Sequence, residues 1–542
     1  MKVVGARLLA ISLTLTASVP VLIGFLFVYS LGVNGVAYDE FRIATTLAEY
    51  RAGTLDFRDL FTQHVVHRMF FPICVLLALA LWTDFNSVAG MYATQVTLLV
   101  ALAALLILFR RHFGPSRRWM WWFVPVPFLI FSLKQYDNML SSFNLSNVFP
   151  LTFGILAILL LDLAARVRRP LGIAAFAGAV MCATVATFSA LMGLFVWCAG
   201  LLQLAIRPGS GRRWPWLIAW ILLGAIAWKA YFTGFVFYGS DSYLDSLRSP
   251  VEFATFCLAL IGSALFFGLP YAIGGGAVIA GLLVAAMLIL WRQGKLRDQS
   301  VWLALVAMCS LALLAIANGR FGMGPEMALE SRYCTYSLAL IVGTYALLAS
   351  VVRAGPTRMH AGLWSALVIL ILLSIPVSYV RGFLDGKRFS QRQRELAFLL
   401  YTFESQPAEF VGRFDVNDES VIRRRAAFLK DNRLNVFADD AVVPTLPTGP
   451  GVDAPQPPLS MEQLNGVRLD EATAADLVFP AETEYVHVVG WAVDPVADAP
   501  AGGVYLEIDG VPYPAFYGKL REDGPCRYCG FERAVPISRL AP

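Results

Sequence analysis

The sequence predicts a polytopic α-helical membrane protein with about eleven spans, two interfacial or re-entrant helices and a small, external, β-sandwich-like domain at its C-terminal end. Composition is the first observation behind this prediction. Of the 542 residues, 58% are hydrophobic and only 15% are charged, and the mean hydropathy is +0.63. A soluble protein carries about 25% charged residues, and large soluble chains divide into domains instead of becoming more apolar. Soluble globular, disordered and collagen-like proteins are therefore excluded.

Long apolar runs are the second observation. A membrane-spanning helix needs about 20 predominantly apolar residues. We predict spans at residues 8–33, 88–109, 119–133, 148–165, 171–187, 190–206, 214–233, 271–291, 300–318, 335–352 and 362–380. Two shorter apolar stretches, 69–83 and 251–268, end at turn-like sequence, and counting them as spans would put several Arg clusters on the wrong side of the membrane. We therefore predict that they lie at the interface or re-enter the membrane without crossing it.

The distribution of charge sets the predicted orientation, because loops that face the cytoplasm are rich in Lys and Arg. With Met1 inside, the inner loops hold the basic residues Arg110, Arg111, Arg117, Arg118, Arg166, Arg168, Arg169, Arg207, Arg212, Arg213, Arg292, Lys295, Arg297, Arg353 and Arg358. The apolar run after Arg7 is longer than the core of a signal peptide, which predicts an uncleaved first span. Everything after residue 380 is then external.

The chain is predicted to consist of a transmembrane domain and three external parts. Residues 1–380 form the transmembrane domain, 381–443 an external helical segment, 444–474 a Pro/Gly-rich linker and connector, and 475–542 the small β domain. Alternating apolar residues around an Asp-Gly turn signal predict the strands of that last part. Its Cys526 and Cys529 form a lone CxxC motif, which lacks the four ligands of a structural zinc site. We therefore interpret the pair as a local disulfide.

Two adjacent carboxylates, Asp39 and Glu40, come directly after the first predicted span. Ionisable groups at a membrane boundary are costly to desolvate and are functional candidates for that reason. A carboxylate there can act as a general base towards a hydroxyl group. His67 and Arg68 stand at the head of the short helix that follows in the same predicted loop. The alternative for the acidic pair is an ordinary acidic loop beside the end of a span.

Further candidates lie in the later external loops: Lys134, Asp137, Asn138, Arg320, Arg332 and Tyr333. Arginine is the preferred partner of phosphate, because its planar guanidinium can bind two oxygens at once. Arg332 stands where a helix enters the membrane, at the depth of a lipid phosphate. The alternative for a single interfacial arginine is a side chain that only extends its charge towards water.

Together these features resemble the GT-C superfamily of membrane glycosyltransferases. The resemblance rests on the Asp39-Glu40 pair at the outer end of the first span, the helix headed by His67-Arg68, the Arg-rich inner loops and the external C-terminal domain. Protein O-mannosyltransferases have an Asp-Glu pair in the same place. The segments Gln135–Met139 and Ser331–Tyr333 are similar to segments of bacterial polytopic proteins of this type. The resemblance covers roughly residues 1–380.

The resemblance implies transfer of a sugar from a polyprenyl-phosphate-linked donor to an acceptor hydroxyl, with inversion. Asp39 is expected to act as the general base and Glu40 to share its site. Arg332, Arg320, Lys134, Arg68 and His67 are the expected donor-phosphate ligands, and Asp137, Asn138 and Tyr333 are expected to shape the acceptor site.

The expected partners are a glycan or lipid-linked acceptor and membrane lipids, and no nucleic acid. No cofactor is expected to be required, and the external carboxylates lack a ligand-spacing pattern that would support a divalent cation. The resemblance also implies a multi-pass protein of the bacterial inner membrane, with a cytoplasmic N-terminus and a periplasmic or extracellular C-terminal domain.

Two alternatives remain from the sequence. A polysaccharide polymerase or ligase also has about a dozen spans and external arginines, although it places its key residues in a later loop. A lipid-linked sugar transporter or flippase usually carries charges at mid-membrane. Most ionisable residues here lie at the ends of spans, with Asp162 and Lys229 as exceptions.

Overall fold

The computed structural model describes residues 2–114, 119–207, 213–236, 246, 248–407, 409, 412–414, 419–438, 459–469, 480, 482–494, 499–500, 503–508, 510–521 and 529–539. The chain forms two compact units, each assembled from separate segments of sequence. Unit 1 comprises residues 1–32, 55–78 and 88–387, and unit 2 comprises residues 33–54, 79–87 and 388–542.

Helices dominate the described chain. In chain order they are α1 (Lys2–Leu31), α2 (Phe41–Arg51), α3 (Phe70–Trp82), α4 (Ser87–Phe113), α5 (Trp119–Phe123), α6 (Pro125–Ile130), α7 (Tyr136–Leu140), α8 (Leu145–Ala164), α9 (Arg169–Thr187), α10 (Phe195–Ile206), α11 (Arg213–Phe232), α12 (Pro250–Gly262), α13 (Leu269–Arg292), α14 (Ser300–Arg320), α15 (Cys334–Ala354), α16 (Arg358–Tyr401) and α17 (Glu419–Asp431). A short hairpin of β1 (Gln63–His64) and β2 (His67–Arg68) precedes α3.

Nine helices of the described residues are long and apolar enough to cross a membrane, namely α1, α4, α8, α9, α11, α13, α14, α15 and α16. They confirm the predicted mostly helical fold with several helices that could span a membrane. The predicted span 119–133 is instead broken into α5 and α6. Pro125 begins the second of these helices, and a proline removes a backbone donor and disrupts a continuous helix. Predicted span 190–206 contains only the short helix α10 after a turn.

The two apolar stretches predicted not to cross contain the short helices α3 and α12, each of 13 residues. At 1.5 Å per residue such a helix measures about 20 Å, less than the ~30 Å hydrocarbon core. The last predicted span does not end at residue 380, because α16 continues without a break to Tyr401. The predicted external helical segment therefore begins as an extension of this helix.

A shared carboxylate holds one end of unit 1 together. Asp162 is almost fully buried, and its side-chain oxygens lie 3.1 Å from Arg111 Nε, 3.0 Å from Arg166 Nε and 3.6 Å from Arg207 Nη2. Arg111 lies in the last turn of α4, Arg166 follows the end of α8, and Arg207 follows the end of α10. We call these four residues the arginine cluster. Asp162, an exception to the span-end pattern in the sequence, thus lies two residues from the end of α8 and joins three helix ends.

The opposite end of unit 1 contains the polar loops that precede α7, α8 and α15. Asn144 comes just before α8, and Asp162 nearly ends it, so the helix between them rises about 27 Å. This rise matches the thickness of a hydrocarbon core, ~30 Å. The end of α1 lies at the same end as these loops, because Phe27 packs on Phe383 of α16 and Tyr379 of α16 donates to the Phe131 carbonyl.

Helices α12 and α13 form a tight hairpin whose backbones touch at two glycines. A Cβ atom added to Gly262 would collide with the carbonyl oxygen of Ala272, and one added to Gly276 would collide with that of Leu258. Such contacts between small residues let membrane helices approach closely. The connection between the two helices carries Phe267, whose ring meets the ammonium group of Lys134. The hairpin therefore helps to form the polar end of unit 1.

Unit 2 contains an antiparallel half-barrel. Its strands are β3 (Leu459–Leu464), β4 (Val467–Arg468), β5 (Tyr485–Asp494), β6 (Ala499–Pro500), β7 (Val504–Ile508), β8 (Val511–Lys519) and β9 (Gly530–Pro536). They pair in the order β4-β3-β5-β9-β8-β7, with β6 beside β5. The small β domain is thus confirmed. Its described strands form one curved sheet, however, in place of the two packed sheets of the predicted sandwich.

The half-barrel begins earlier in the chain than the sequence suggested. Strands β3 and β4 lie within the predicted connector 444–474, and β3 pairs with β5 from Leu459 to Leu464. Their short, largely polar sequence next to a Pro-rich stretch conceals the strand pattern. Residues 444–458 of the predicted linker lie outside the described residues, as does Cys526. Cys529 is disulfide-bonded.

Helices of unit 2 pack on its sheet. Phe398 near the end of α16 contacts Phe516 of β8, with ring centroids 5.9 Å apart, and the buried Arg533 of β9 donates to the Ser405 hydroxyl at 2.5 Å. Glu532 of β9 accepts hydrogen bonds from His487 and Lys519. Burial alone raises the pKa of Glu532, but these bonds lower it to about 2, so the carboxylate stays ionised.

We predict that Gly276→Ala destabilises the α12–α13 hairpin by about 1–3 kcal/mol, the usual cost of overpacking. Gly274→Ala is the matched control, because a Cβ atom there has no neighbour within 4 Å. The difference in unfolding temperature is measured in detergent, with exposure of the fully buried Cys334 thiol beside Ser263 as the signal of unfolding. Equal unfolding temperatures for the two variants would contradict the close backbone contact.

Candidate active site

Two segments about 200 residues apart meet at the polar end of unit 1. The Ser331 hydroxyl donates to the carbonyl of Lys134 at 2.9 Å and accepts from the amide of Asp137 at 3.1 Å. The Thr335 hydroxyl donates to Gln135 Oε1 at 2.7 Å. These bonds fix the loop before α7 against the start of α15. We call residues 134–138, Asn144, Asn147 and 331–335 the polar cluster.

Asparagine side chains complete this network. The buried Asn138 donates to the carbonyl of Arg332 and to the Thr335 hydroxyl, both at 2.8 Å. Asn147 donates to Asn138 Oδ1 at 3.2 Å, and Asn144 donates to Asp137 Oδ1 at 2.9 Å. Because buried amides need their hydrogen bonds satisfied, this arrangement gives the cluster a defined geometry.

Lys134 is a buried residue whose ammonium group forms no ion pair with any carboxylate of the described residues, although the charge of Asp385 acts on it. The residue is 6% exposed, and its ammonium nitrogen lies 3.7 Å from the centre of the Phe267 ring. Within the described parts of the chain it makes no ion pair or hydrogen bond through this group. Burial lowers the pKa of Lys134. A cation held this way is stabilised by the ring quadrupole, yet it still lacks the acceptors that an ammonium group normally binds.

Arg332 is the second cation of the cluster. Its guanidinium carbon lies 5.4 Å from the centre of the Tyr333 ring. Across the residues that the structure describes, Arg332 Nε and the Tyr333 hydroxyl are buried and have no hydrogen-bond partner. A buried donor without a partner costs about 1–3 kcal/mol. The cluster therefore contains two cations and a phenol whose polar atoms can still bind a ligand.

Asp137 places a carboxyl group beside these cations. Burial, together with the charge of Glu330, raises its pKa to about 6, although Arg332 and the bond from Asn144 oppose the increase. A carboxyl group with a pKa near the working pH can both take up and release a proton. The polar cluster thus combines anion-binding groups with a group suited to proton transfer.

The acidic pair Asp39–Glu40 belongs to unit 2. It lies in a single 3-10 turn, Tyr38–Glu40, which leads into α2, where Asp39 is exposed and Glu40 is buried. The fully buried Phe41 anchors this turn against Phe414, with an edge-to-face ring contact of 5.9 Å. The turn therefore leaves the carboxylate of Asp39 exposed at the surface and buries that of Glu40.

An arginine accompanies this turn. Arg392 of α16 donates to the Tyr38 hydroxyl at 2.8 Å and lies 5.8 Å from the centre of its ring. Tyr38 itself has a φ of +51°, a left-handed conformation that is rare for an aromatic residue and strains the backbone. Arg392 is a functional candidate that sequence reasoning missed, since nothing in the sequence connects it with a loop about 350 residues earlier.

The remaining predicted phosphate ligands lie outside the polar cluster. Arg68 belongs to β2, not to the head of α3, and its guanidinium donates to the carbonyls of Phe61, Tyr231 and Thr233, each at 2.6 Å. His67 Nδ1 accepts from the amide of Leu191 at 3.3 Å. Arg320 Nη1 contacts the sulfur of Met323 at 3.5 Å. Arg68 thus holds the β1–β2 hairpin against the end of α11.

The structure groups the predicted residues into three sets. Lys134, Asp137, Asn138, Arg332 and Tyr333 come together in unit 1, Asp39 and Glu40 lie together in unit 2, and His67, Arg68 and Arg320 lie apart from the polar cluster. Sequence reasoning missed Gln135, Asn144, Asn147, Ser331 and Thr335 as members of the network. Their signal is present in the sequence as polar residues concentrated beside the starts of apolar helices.

We predict that Asp137→Asn changes how stability depends on pH. The pKa of Asp137 is higher in the folded protein than the 3.8 of a free carboxyl group, so the folded state binds the proton more tightly. This group's contribution to stability is present below its unfolded pKa and is lost as the pH rises through about 6.

The Asn variant should lack this decline and be about 1–2 kcal/mol more stable at neutral pH. Unfolding measured over roughly pH 4 to 7 in detergent tests it, with the exposed Asp56→Asn of the same unit as control. Parallel curves for wild type and Asp137→Asn would show that Asp137 has an ordinary pKa.

Comparison with known proteins assigns no family to the chain. No family model matches it, and no solved structure matches it. An uncharacterized protein of Archaeoglobus fulgidus is 24% identical over 228 residues, which cover 38% of this chain and 56% of that relative. The chain thus spans little more than half the length of the curated relative that it matches.

Proposed function

We propose that this protein is a membrane glycosyltransferase of the GT-C type. It transfers a sugar from a polyprenyl-phosphate-linked donor to an acceptor hydroxyl on a cell-envelope glycan, at the external face of the bacterial inner membrane. The observation that carries the proposal is the polar cluster, in which the described residues give Lys134 no ion pair and leave the Nε of Arg332 without a hydrogen-bond partner. The sequence resemblance supplies the reaction class.

A phosphate group fits the chemistry of these two cations. Charge-assisted hydrogen bonds to phosphate are about twice as strong as neutral ones. Lys134 provides a point charge and Arg332 a planar guanidinium, the two forms in which proteins usually bind phosphate. Bound here, the phosphate would satisfy the buried Nε of Arg332 and give the Lys134 ammonium its missing acceptors.

The position of the cluster suits a lipid-linked donor. The polar cluster and the arginine cluster lie at opposite ends of α8, about 27 Å apart along the helix. The positive-inside rule assigns the arginine-rich end to the cytoplasm, which gives the polar cluster an external location. A phosphate on a membrane-embedded polyprenyl chain lies at this depth, the level of the lipid headgroups.

The proposed reaction is a single displacement. The acceptor oxygen forms a bond to the anomeric carbon while the bond from that carbon to the donor phosphate oxygen breaks. The acceptor proton passes to a carboxylate, and the polyprenyl phosphate leaves with the electron pair. Lys134 and Arg332 stabilise the charge that develops on this leaving group, which is the usual role of positioned cations in phosphate chemistry.

Asp39 is the proposed general base and Glu40 shares its turn. Asp39 is the exposed member of the pair, with Arg392 beside the neighbouring Tyr38. Asp137 is the alternative proton acceptor, because it lies in the same cluster as the cations and has a pKa of about 6. If Asp39 is the base, Asp137 shapes the acceptor site together with Asn138 and Tyr333.

The alternative functions receive less support. A transporter usually carries charged residues at mid-membrane, whereas Asp162 lies at a helix end and is engaged by three arginines. A polymerase or ligase would use the same lipid-phosphate chemistry and differs in its acceptor. Transfer in detergent, where no membrane barrier exists, separates an enzyme from a transporter.

We predict that Asp39→Asn abolishes sugar transfer while the protein still folds. The amide cannot accept the acceptor proton, and loss of a general base lowers the rate by about 10²–10⁴-fold. Purified protein in detergent, incubated with polyprenyl-phosphate sugars and cell-envelope glycans, provides the measurement. Glu49→Gln in α2 is the control for a lost charge in the same unit.

Each outcome of this assay has a clear meaning. Transfer by wild type and by Glu49→Gln, but not by Asp39→Asn, supports the proposal with Asp39 as base. Full transfer by Asp39→Asn with loss in Asp137→Asn would move that role to Asp137. Absence of transfer by the wild type with every polyprenyl-phosphate donor would overturn the function itself.

A further inference from the structure

The arginine cluster at the other end of unit 1 carries more positive charge than it balances. Three guanidinium groups surround the single carboxylate of Asp162, which leaves a surplus of two positive charges. Asp162 is 3% exposed, whereas the side chains of Arg111 and Arg166 are 31% and 56% exposed. The negative charge is thus buried between the helices, and the surplus positive charge faces outwards.

The arginines keep donors that Asp162 does not use. Arg111 and Arg166 each bind the carboxylate through Nε, and Arg207 approaches it through Nη2 and approaches the Asp162 carbonyl through Nη1. Throughout the described ranges, the Nη groups of Arg111 and Arg166 have no acceptor. An arginine has five N–H donors, so a further anion can bind here bidentately.

Neighbouring basic residues at this end are engaged differently. Arg353 donates to the His112 carbonyl at 2.6 Å, and Lys295 donates to the Ala354 carbonyl at 3.1 Å. Both cations therefore bind the free carbonyls at the ends of α4 and α15, where positive charge is favourable. The arginine cluster differs from both, because three guanidinium groups converge there on one carboxylate.

The depth of the cluster indicates the source of the anion. Arg111 ends α4, Asp162 nearly ends α8 and Arg207 follows α10, so the cluster lies at the boundary where apolar helices meet water. Lipid phosphates lie at this boundary, and basic pockets between membrane helices bind anionic headgroups. A phosphate there would reduce the repulsion among three cations that share one carboxylate.

We propose that the arginine cluster is a binding site for the phosphate of an anionic phospholipid headgroup. The lipid phosphate complements Asp162, so that two anions hold the ends of α4, α8 and α10 together. This site is independent of the proposed transfer reaction, since it lies at the opposite end of α8 from the polar cluster.

Purified protein in lipid nanodiscs tests the proposal, with phosphatidylglycerol as the anionic probe and phosphatidylcholine as the zwitterionic reference. Asp162→Asn should unfold at a lower temperature than wild type in phosphatidylcholine and should recover most of this loss in phosphatidylglycerol. Arg111→Gln should retain phosphatidylglycerol about fivefold less well after purification from mixed lipid. Arg358→Gln, an exposed arginine at the start of α16, is the control for a lost charge and should retain the lipid normally.

Several results would overturn the proposal. An equal loss of stability by Asp162→Asn in both lipids would make the cluster a purely structural ion network. Stabilisation by soluble inorganic phosphate as large as that by phosphatidylglycerol would assign the site to a free anion. If Asp162→Asn does not fold, the retention of phosphatidylglycerol by Arg111→Gln against Arg358→Gln decides the question, and equal retention contradicts the site.

Discussion

The hydrogen-bonded junction between residues 134–138 and 331–335 is the constraint on which the proposed site depends. Ser331 forms hydrogen bonds with the backbone of residues 134–138, and Thr335 donates to the side chain of Gln135. Asn138 donates two hydrogen bonds in the other direction, to residues 332 and 335. This junction holds the buried residue Lys134 with its ammonium group against the Phe267 ring, where no carboxylate of the described residues forms an ion pair with it. A buried, unpaired cation is costly unless a ligand supplies the opposite charge, and the bound ligand is therefore expected to be an anion.

The two ends of unit 1 differ in the kinds of polar groups that they contain. At one end, three arginines form ion pairs with Asp162, and the side chains of Arg111 and Arg166 are partly exposed. At the other end, amides and hydroxyl groups position a few cations and one titratable carboxyl group, Asp137. Helix α8 connects the two ends over the thickness of a membrane core. This asymmetry separates the proposed lipid-binding site from the proposed transfer site.

The sequence predicts the helical membrane class well, because repeated apolar runs of about 20 residues are typical of membrane-spanning helices. It fails in two places: the predicted span 119–133 is interrupted before Pro125, and α16 continues past the expected boundary at residue 380 although Pro376 and Gly382 lie beside that boundary. The pairing of Ser331 with Lys134, or of Arg392 with Tyr38, depends on tertiary packing between distant segments and has no local signature. Asp39, Arg332 and Lys134 could be selected from charge and position, but their hydrogen-bond partners could not.

Binding of a polyprenyl phosphate to the purified protein in detergent tests the central claim most directly. We expect Lys134→Met to raise the dissociation constant about tenfold or more, equivalent to ~1.4 kcal/mol. The variant should keep its folding stability, because methionine removes a buried charge at similar length. Lys229→Met, an exposed lysine near the end of α11, should bind like wild type. Unchanged binding by Lys134→Met together with lower stability would contradict the claim and leave Lys134 with a structural role against Phe267.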